Sequence, residues 1–342
     1  MVSPNSALGA NAYVPILKAK MAEYGAIETC TSDLVVPLLE VLSPEAAASP
    51  ITRSWGRSDD VVWIHSLNFE DVDESDFASS IESLFAALRS VTKPVPVITV
   101  TEGPDTLAAI SRITSVDRRG VVLRIEAEDL LDQASDTAAD IASTLEQLSL
   151  DTKDVDVVID AGLVDGAATV LAAVADQCLR SLPDLDDWRT VVVAFSAFPA
   201  AIADLVPTSS VRAIPRTDAA AFTATRRIAS RPIVFGDYTI GVPTYASVPF
   251  APIPNIRYAS DQTWIIHRAQ ERRNPSEQYR ALATELIAAP YYSGASFSPG
   301  DQQIADVASG ASGPGNAMTH LRAGISRHVH VVLERLATLG EP

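Results

Sequence analysis

Between residues 13 and 240 the sequence repeats one theme, an apolar run of strand length followed by an amphipathic stretch of helical period. The strand candidates are 13–19, 35–41, 61–67, 95–101, 121–126, 155–161, 190–195 and 233–240. Most are rich in Val and Ile and apolar on both faces, the pattern of parallel strands covered on both sides. The intervening stretches carry the 3.6-residue period. In 76–89 the apolar residues Phe77, Ile81, Leu84, Phe85 and Leu88 form one stripe, and Ser75 or Asp76 can cap the helix by accepting from a free first-turn amide. In 135–148 the stripe is Ala138, Ile141, Ala142, Leu145 and Leu148; in 166–182 it is Ala167, Val170, Leu171, Val174, Cys178 and Leu182. Pro104 suits the first turn of a helix reading through Leu107, Ile110 and Ile113, where a missing amide costs nothing. The link 43–60, with Pro44 and an alanine run, predicts only a weak helix.

Eight such units predict an α/β fold, a (β/α)8 TIM-like barrel with a C-terminal appendage. A doubly wound open sheet shares the alternation. It usually has fewer strands, and no G-x-G-x-x-G follows the first strand here. The barrel is expected over residues 1–243 and the appendage over 244–342. Pro243, Pro249, Pro252 and Pro254 mark a non-helical connection between them. The appendage should hold an antiparallel pair, 256–260 and 263–268, joined by Asp261-Gln262. A helix over 276–288 follows, with Tyr279, Leu282, Ala283 and Leu286 on one face. A glycine-rich stretch (Gly294, Gly300, Gly310, Gly313, Gly315) then leads to a strand-like segment, 325–336.

Charge narrows the partners. The net charge of −17 repels phosphate backbones, and the basic stretches Arg226-Arg227 and 267–273 are short, so direct nucleic-acid binding is disfavoured. No apolar run approaches the roughly 18 residues of a membrane span, and residues 1–12 lack the basic and apolar regions of a secretory signal. The expected compartment is the cytoplasm. Cys30 and Cys178, outside any C-x-x-C pair, read as buried thiols on apolar helix faces. No metal or cofactor is implied.

In a barrel the side chains of each strand alternate between the interior and the helix layer, and function collects at the C-terminal strand ends. In the fifth strand Val121, Leu123 and Ile125 share a fully apolar face, which should meet the helices. That turns Val122, Arg124 and Glu126 inward. The same parity points Val36, Leu38 and Glu40 inward from the second strand, Val158 and Asp160 from the sixth, and Val14, Ile16, Lys18 and Lys20 from the first. Thr99, Thr101, Ala194, Ser196 and Asp237 are further candidates. The predicted mouth thus gathers Lys18, Lys20, Glu40, Arg124, Glu126, Asp160 and Asp237. An enzyme would use Glu40 or Asp160 as base, with Arg124 and Lys18 holding an anionic group. Equally, Arg124 could neutralise Glu40 and Asp160 in an ion network that only fixes the barrel. Strand-end charges can also be a solvated rim.

Other patterns say less. His328-x-His330 would put two imidazoles on one side of a strand, a spacing that can bind metal, though ordinary packing explains it too. Gly313-Pro314-Gly315-Asn316 could hold an anion ahead of a helix or simply turn the chain. G-x-S-x-G, H-E-x-x-H and Walker A motifs are absent from the sequence.

The opening Tyr13-Val14-Pro15-Ile16-Leu17-Lys18-Ala19-Lys20, with Glu23, Ala26 and then Pro37-Leu38-Leu39-Glu40-Val41, resembles the bacteriophage and bacterial beta protein family, whose members tend to begin Y-x-P-x-L-K-x-K and continue P-L-x-E. Gly300-Asp301, Gly313-Pro314-Gly315, Gly324 and His328 extend the resemblance to the C-terminal block. Pro299 departs from the bulky aromatic expected before Gly300. The resemblance implies a protein of phages, prophages and mobile loci that acts in phage–host conflict or antiviral defence, and it implies no particular chemistry.

Three readings follow. The barrel binds a protein partner or a small anionic ligand without turnover; or it is a hydrolase or lyase using Glu40 or Asp160 with Arg124; or the chain is a structural component of an assembly. The last predicts an exposed apolar patch around Ile287, Tyr291, Tyr292 and Phe297. An enzyme should present Glu40, Arg124 and Asp160 in an open pocket rather than sealed and mutually satisfied.

Overall fold

A computed structural model describes residues 5–57, 59–69, 72–245 and 252–342. Eight parallel strands close into a barrel: β1 (Tyr13–Lys18), β2 (Leu38–Val41), β3 (Val61–Ser66), β4 (Lys93–Ile98), β5 (Val121–Glu126), β6 (Val155–Leu163), β7 (Thr190–Ser196) and, after an excursion, β9 (Val234–Asp237). β9 closes the ring, aligning Phe235 with Tyr13 on one side and Val193 on the other. An open sheet would leave β1 and β9 as edges. Their pairing decides for the barrel.

The helix layer comprises α1 (Met21–Glu28), α2 (Pro44–Trp55), α3 (Glu74–Leu88), α4 (Pro104–Asp117), α5 (Ala127–Asp132), α6 (Ala134–Leu148), α7 (Ala168–Ser181), the single turn α8 (Ile202–Leu205) and α9 (Thr217–Ile228). α2 is stronger than its sequence suggests. Ala47, Ile51 and Trp55 lie four residues apart and are buried, Pro44 sits in the first turn, and the Trp55 indole donates to the Val61 carbonyl at 2.9 Å. α3 carries its expected stripe but begins two residues early, at Glu74, and its cap is Asp73, which accepts from the Ser75 amide, rather than Ser75 or Asp76. α7 is rotated from expectation: Val170 and Val174 face solvent, while Leu171, Ala172, Ala175, Cys178 and Leu179 are buried. In so alanine-rich a helix the stripe is poorly defined. Both cysteines are buried and free.

Two apolar layers result. Val14, Ile16, Val36, Leu38, Val61, Trp63, Val95, Val97, Val122, Val158, Val192, Ala194, Val234 and Tyr238 fill the interior. The alternate residues, such as Leu17, Leu39, Ile64, Leu123, Ile159 and Phe235, pack under the helices. The parity read in the first, second, fifth and sixth strands is therefore correct. At the opposite end from the mouth, a buried Arg189–Asp156 pair (2.8 Å) plugs the floor.

One strand was not anticipated. β8 (Ser210–Pro215) leaves the barrel region and pairs antiparallel with β11 (Thr263–Arg268), itself paired with β10 (Asn255–Ala259). The appendage therefore shares a three-stranded sheet with a segment that precedes the last barrel strand. α10 (Pro275–Ile287) and α11 (Pro299–Ser309) bury Tyr279, Leu282, Leu286, Ile304 and Val307 against it. The last element is α12 (Ala317–Leu339), a 23-residue helix, so the strand expected over 325–336 is corrected. From Ala323 to Val332 only His330 escapes burial. Burial all round this stretch, with Ser326, Arg327 and His328 among the buried residues, removes the one-sided apolar stripe by which an amphipathic helix is read. Two glycines allow its close contacts. A Cβ on Gly300 would collide with the Ala323 carbonyl, and one on Gly324 with the Arg257 carbonyl.

Ile287, Tyr291, Tyr292 and Phe297 are half-buried rather than an exposed patch. Tyr291 and Tyr292 hydrogen-bond to His267 and to the Asp301 carbonyl, and the Arg327 guanidinium lies 3.9 Å from the Phe297 ring centre. Of the four prolines marking the connection, Pro249 lies outside the described residues. Among the described residues no helix is long and apolar enough to cross a membrane.

Candidate functional site at the barrel mouth

Arg124, near the C-terminal end of β5, is the centre of the mouth. All five of its N–H groups have partners. Nε and Nη2 donate to Asp160 Oδ2 on β6 at 2.9 and 2.7 Å. Nη1 donates to Glu40 Oε1 on β2 at 2.8 Å and to His65 Nδ1 on β3 at 2.9 Å. Nη2 also meets the Tyr238 hydroxyl at 2.6 Å, and that hydroxyl donates to Asp160 Oδ2 at 2.5 Å. Three other strands, and Tyr238 just past the end of β9, thus converge on one guanidinium, whose side chain is only 11% exposed.

The charges respond to this crowding. Burial works against the Arg124 cation, but Asp160, Tyr238 and Glu40 outweigh it and raise its pKa above the ordinary value. Burial and the adjacent guanidinium push His65 down to about 3, so its ring is neutral. An arginine can only donate, so Nδ1 must be the bare acceptor and Nε2 carries the proton. Burial, with Asp160 nearby, raises Tyr238 far above its usual value. The carboxylates are saturated in turn. Asp160 Oδ1 accepts from the Gly162 amide at 2.9 Å. Glu40 Oε2 accepts from the Tyr245 hydroxyl at 2.8 Å.

Tyr245 arrives from the connection after β9 and lies across the mouth. Its ring packs against Phe69 (centroids 5.1 Å apart), with Lys18 Nζ 4.4 Å and Lys20 Nζ 5.5 Å from its centre. Lys18 also donates to the Thr244 carbonyl. Its ammonium is half-buried, and desolvation lowers its pKa despite Glu40 and Glu23. Glu23, in the first turn of α1, has its carboxyl raised by burial, partly offset by its own backbone amide, Lys20 and Lys18. Among the described residues its Oε2 has no hydrogen-bond partner.

The structure therefore brings together Glu40, Arg124, Asp160 and Lys18, with exposed Lys20 at the rim. Glu126 is also exposed, ahead of α5, and makes no bond to the network. Thr99 and Thr101 pair with each other at 3.0 Å, and Ser196 bonds to the Gly241 carbonyl. Asp237 is a correction. Val234 and Tyr238 face inward, so Asp237 between them points into the helix layer. There it accepts from the Tyr13 hydroxyl at 2.5 Å and the Thr239 amide at 2.9 Å, and meets His328 Nε2 at 2.6 Å. Burial opposes its charge, but His328, Tyr13 and Arg216 hold its carboxyl below the usual range. Neighbouring Asp218 is raised to about 6, chiefly by burial. His328 and His330 do not form the expected pair. Two residues apart on a helix they diverge, His328 toward Asp237 and His330 back to the Ser326 carbonyl. Among the described residues no cluster of His, Cys, Asp and Glu is arranged to hold a metal.

Sequence reasoning missed His65, Tyr238 and Tyr245. The first two follow from parity with Val61 and Trp63 and with Val234. Tyr245, on a connection, carries no periodic signal.

A family model described as Beta protein matches residues 13–334. The chain belongs to the beta protein family. Its family-like residues Lys18, Lys20, Glu23 and Glu40 all surround the Tyr245 end of the mouth. The search of curated proteins found no match. Among solved structures the chain is similar to triosephosphate isomerase from Bartonella henselae, with 10% identity over 66% of this chain and 91% of that one, at a TM-score of 0.33. It is similar also to the YdjI aldolase from Escherichia coli K12, with 9% identity over 98% and 94%, at a TM-score of 0.31.

Proposed function

We propose that this beta protein is a cytoplasmic binding protein whose barrel mouth takes up a small anionic ligand without turnover, serving the phage–host conflict that its family resemblance implies. The observation that carries this reading is the contrast between the two cations of the mouth. Arg124 is saturated by Asp160, Glu40, His65 and Tyr238 and forms a rigid floor. Lys18 is partly desolvated, and its near partners are a backbone carbonyl and an aromatic ring rather than a paired carboxylate. A half-buried ammonium so placed gains most from an arriving anion. Every oxygen of Glu40 and Asp160 already accepts a hydrogen bond, which favours binding over general-base chemistry.

The test is thermal unfolding of wild type, Lys18→Met and Glu40→Gln with a panel of small phosphate and carboxylate anions. A ligand at 100 times its Kd stabilises the folded state by about 2.7 kcal/mol. The reading expects such a shift in wild type and its loss in Lys18→Met. No shift from any anion refutes it. Turnover of a panel member that Glu40→Gln abolishes refutes the absence of catalysis and favours a hydrolase or lyase.

A further inference from the structure

We infer that Tyr245 occupies the ligand's own place, and that the ligand is a planar aromatic anion carrying an N–H or O–H donor. The inference rests on the mouth being the binding site and specifies what binds there. Four contacts define the place. The phenol donates to Glu40 Oε2 at 2.8 Å. One side of the ring meets Phe69, 5.1 Å between centroids. The ammonium groups of Lys18 and Lys20 lie 4.4 and 5.5 Å from the ring centre. Burial and the Glu40 carboxylate keep the phenol protonated, raising its pKa above its ordinary value.

Tyr245 meets only part of what these groups offer. Its hydroxyl supplies the donor that Glu40 needs, and its ring supplies the flat surface beside Phe69. It has no anion to offer the two ammonium groups, to which its ring presents only a quadrupole, worth far less than a charge-assisted hydrogen bond. A ligand that keeps the ring and the donor and adds an anionic substituent would satisfy all the same groups better. Lys18 is also tied to the carbonyl of Thr244, next in the chain to Tyr245. Withdrawal of 244–245 therefore frees Lys18 and Glu40 Oε2 together, while Arg124, Asp160, His65 and Tyr238 keep every bond they make to one another. The floor is preformed, and only the occupant changes. Two chemical sources fit this class, the base and phosphate of a nucleotide or a hydroxyaryl acid.

Calorimetric titration with the four nucleoside 5′-monophosphates, 4-hydroxybenzoate and inorganic phosphate tests the inference on wild type, Tyr245→Ala, Tyr245→Phe and Lys18→Met. Removing a competing side chain should tighten binding of an aromatic anion at least about tenfold in Tyr245→Ala, a gain of 1.4 kcal/mol. Tyr245→Phe keeps the ring and its packing, loses only the bond to Glu40, and should fall between. A nucleotide preference or a hydroxybenzoate preference identifies the source. Equal or weaker aromatic binding in Tyr245→Ala overturns the inference. So does Lys18-dependent binding of inorganic phosphate with no preference for a ring, which leaves the anion-binding reading standing. Failure of every probe to bind either wild type or Tyr245→Ala refutes both.

Discussion

Acidification should destabilise this protein through His65, whose ring the barrel mouth keeps neutral. The ring is buried, its Nδ1 accepts from Arg124 at 2.9 Å, and its folded pKa is about 3 against 6.5 for a free imidazole. Protonation would put an N–H on Nδ1, facing a guanidinium in a closed space. The folded pKa is depressed, so the contribution is fully present above pH 6.5 and lost progressively as the pH falls toward 3, where the unfolded chain binds the proton and the folded one does not. Between pH 7.5 and 5 the loss is about 2 kcal/mol. Because the folded pKa lies well below 5, the unfolded imidazole governs this figure. Asp218 acts in the opposite direction. Its carboxyl is raised to about 6, chiefly by burial, so the folded state holds that proton more tightly, and the same acidification stabilises the fold by on the order of 1 kcal/mol. Asp218 partly offsets His65 in wild type, and a comparison isolates His65. Urea unfolding of wild type and His65→Asn at pH 7.5 and 5 supplies it, since the Asn oxygen can accept from Arg124 but cannot titrate. The stability of the variant should fall by about 2 kcal/mol less than that of wild type over this interval. Equal pH dependence would refute the reasoning, as would an NMR titration in which the His65 ring protonates above pH 5.

Removing the central cation should cost more than a surface charge does. Arg124→Met leaves Glu40 and Asp160 buried without a counter-charge, a loss of about 3–5 kcal/mol in denaturant unfolding; Arg124→Lys should recover little, because an ammonium cannot reach Asp160, Glu40, His65 and Tyr238 together. Gly300→Ala should part α11 from α12, where its Cβ meets the Ala323 carbonyl. Raised hydrogen exchange confined to those two helices, with the barrel strands unchanged, is the expected readout.

The barrel was legible because each strand is covered on both sides, so apolar runs alternate with helical stripes in simple order along the chain. Parity in β1, β2, β5 and β6 then assigned Lys18, Glu40, Arg124 and Asp160 to one interior, since a two-residue period leaves no freedom about which face a side chain takes. In the last barrel strand the same rule applied to Val234 would have placed Tyr238 inside and Asp237 outside. Two features had no local signal. α12 is buried all round through its middle, polar residues included, so no one-sided apolar stripe marks it, and β8 finds its partner β11 only across an intervening barrel strand. Tyr245 belongs with them. Its place over Lys18, Lys20, Phe69 and Glu40 exists only once β1, β2 and the segment after β3 are brought together. Sequence alone thus determined the alternation and the charged residues of β1, β2, β5 and β6 that look inward, because these depend on the period of neighbouring side chains, whereas closure of the sheet needed the pairing of β1 with β9. Tertiary structure alone decided that Arg124 is saturated, that His65 is neutral, and that Tyr245 lies across the mouth, because these depend on distances between segments far apart in the chain.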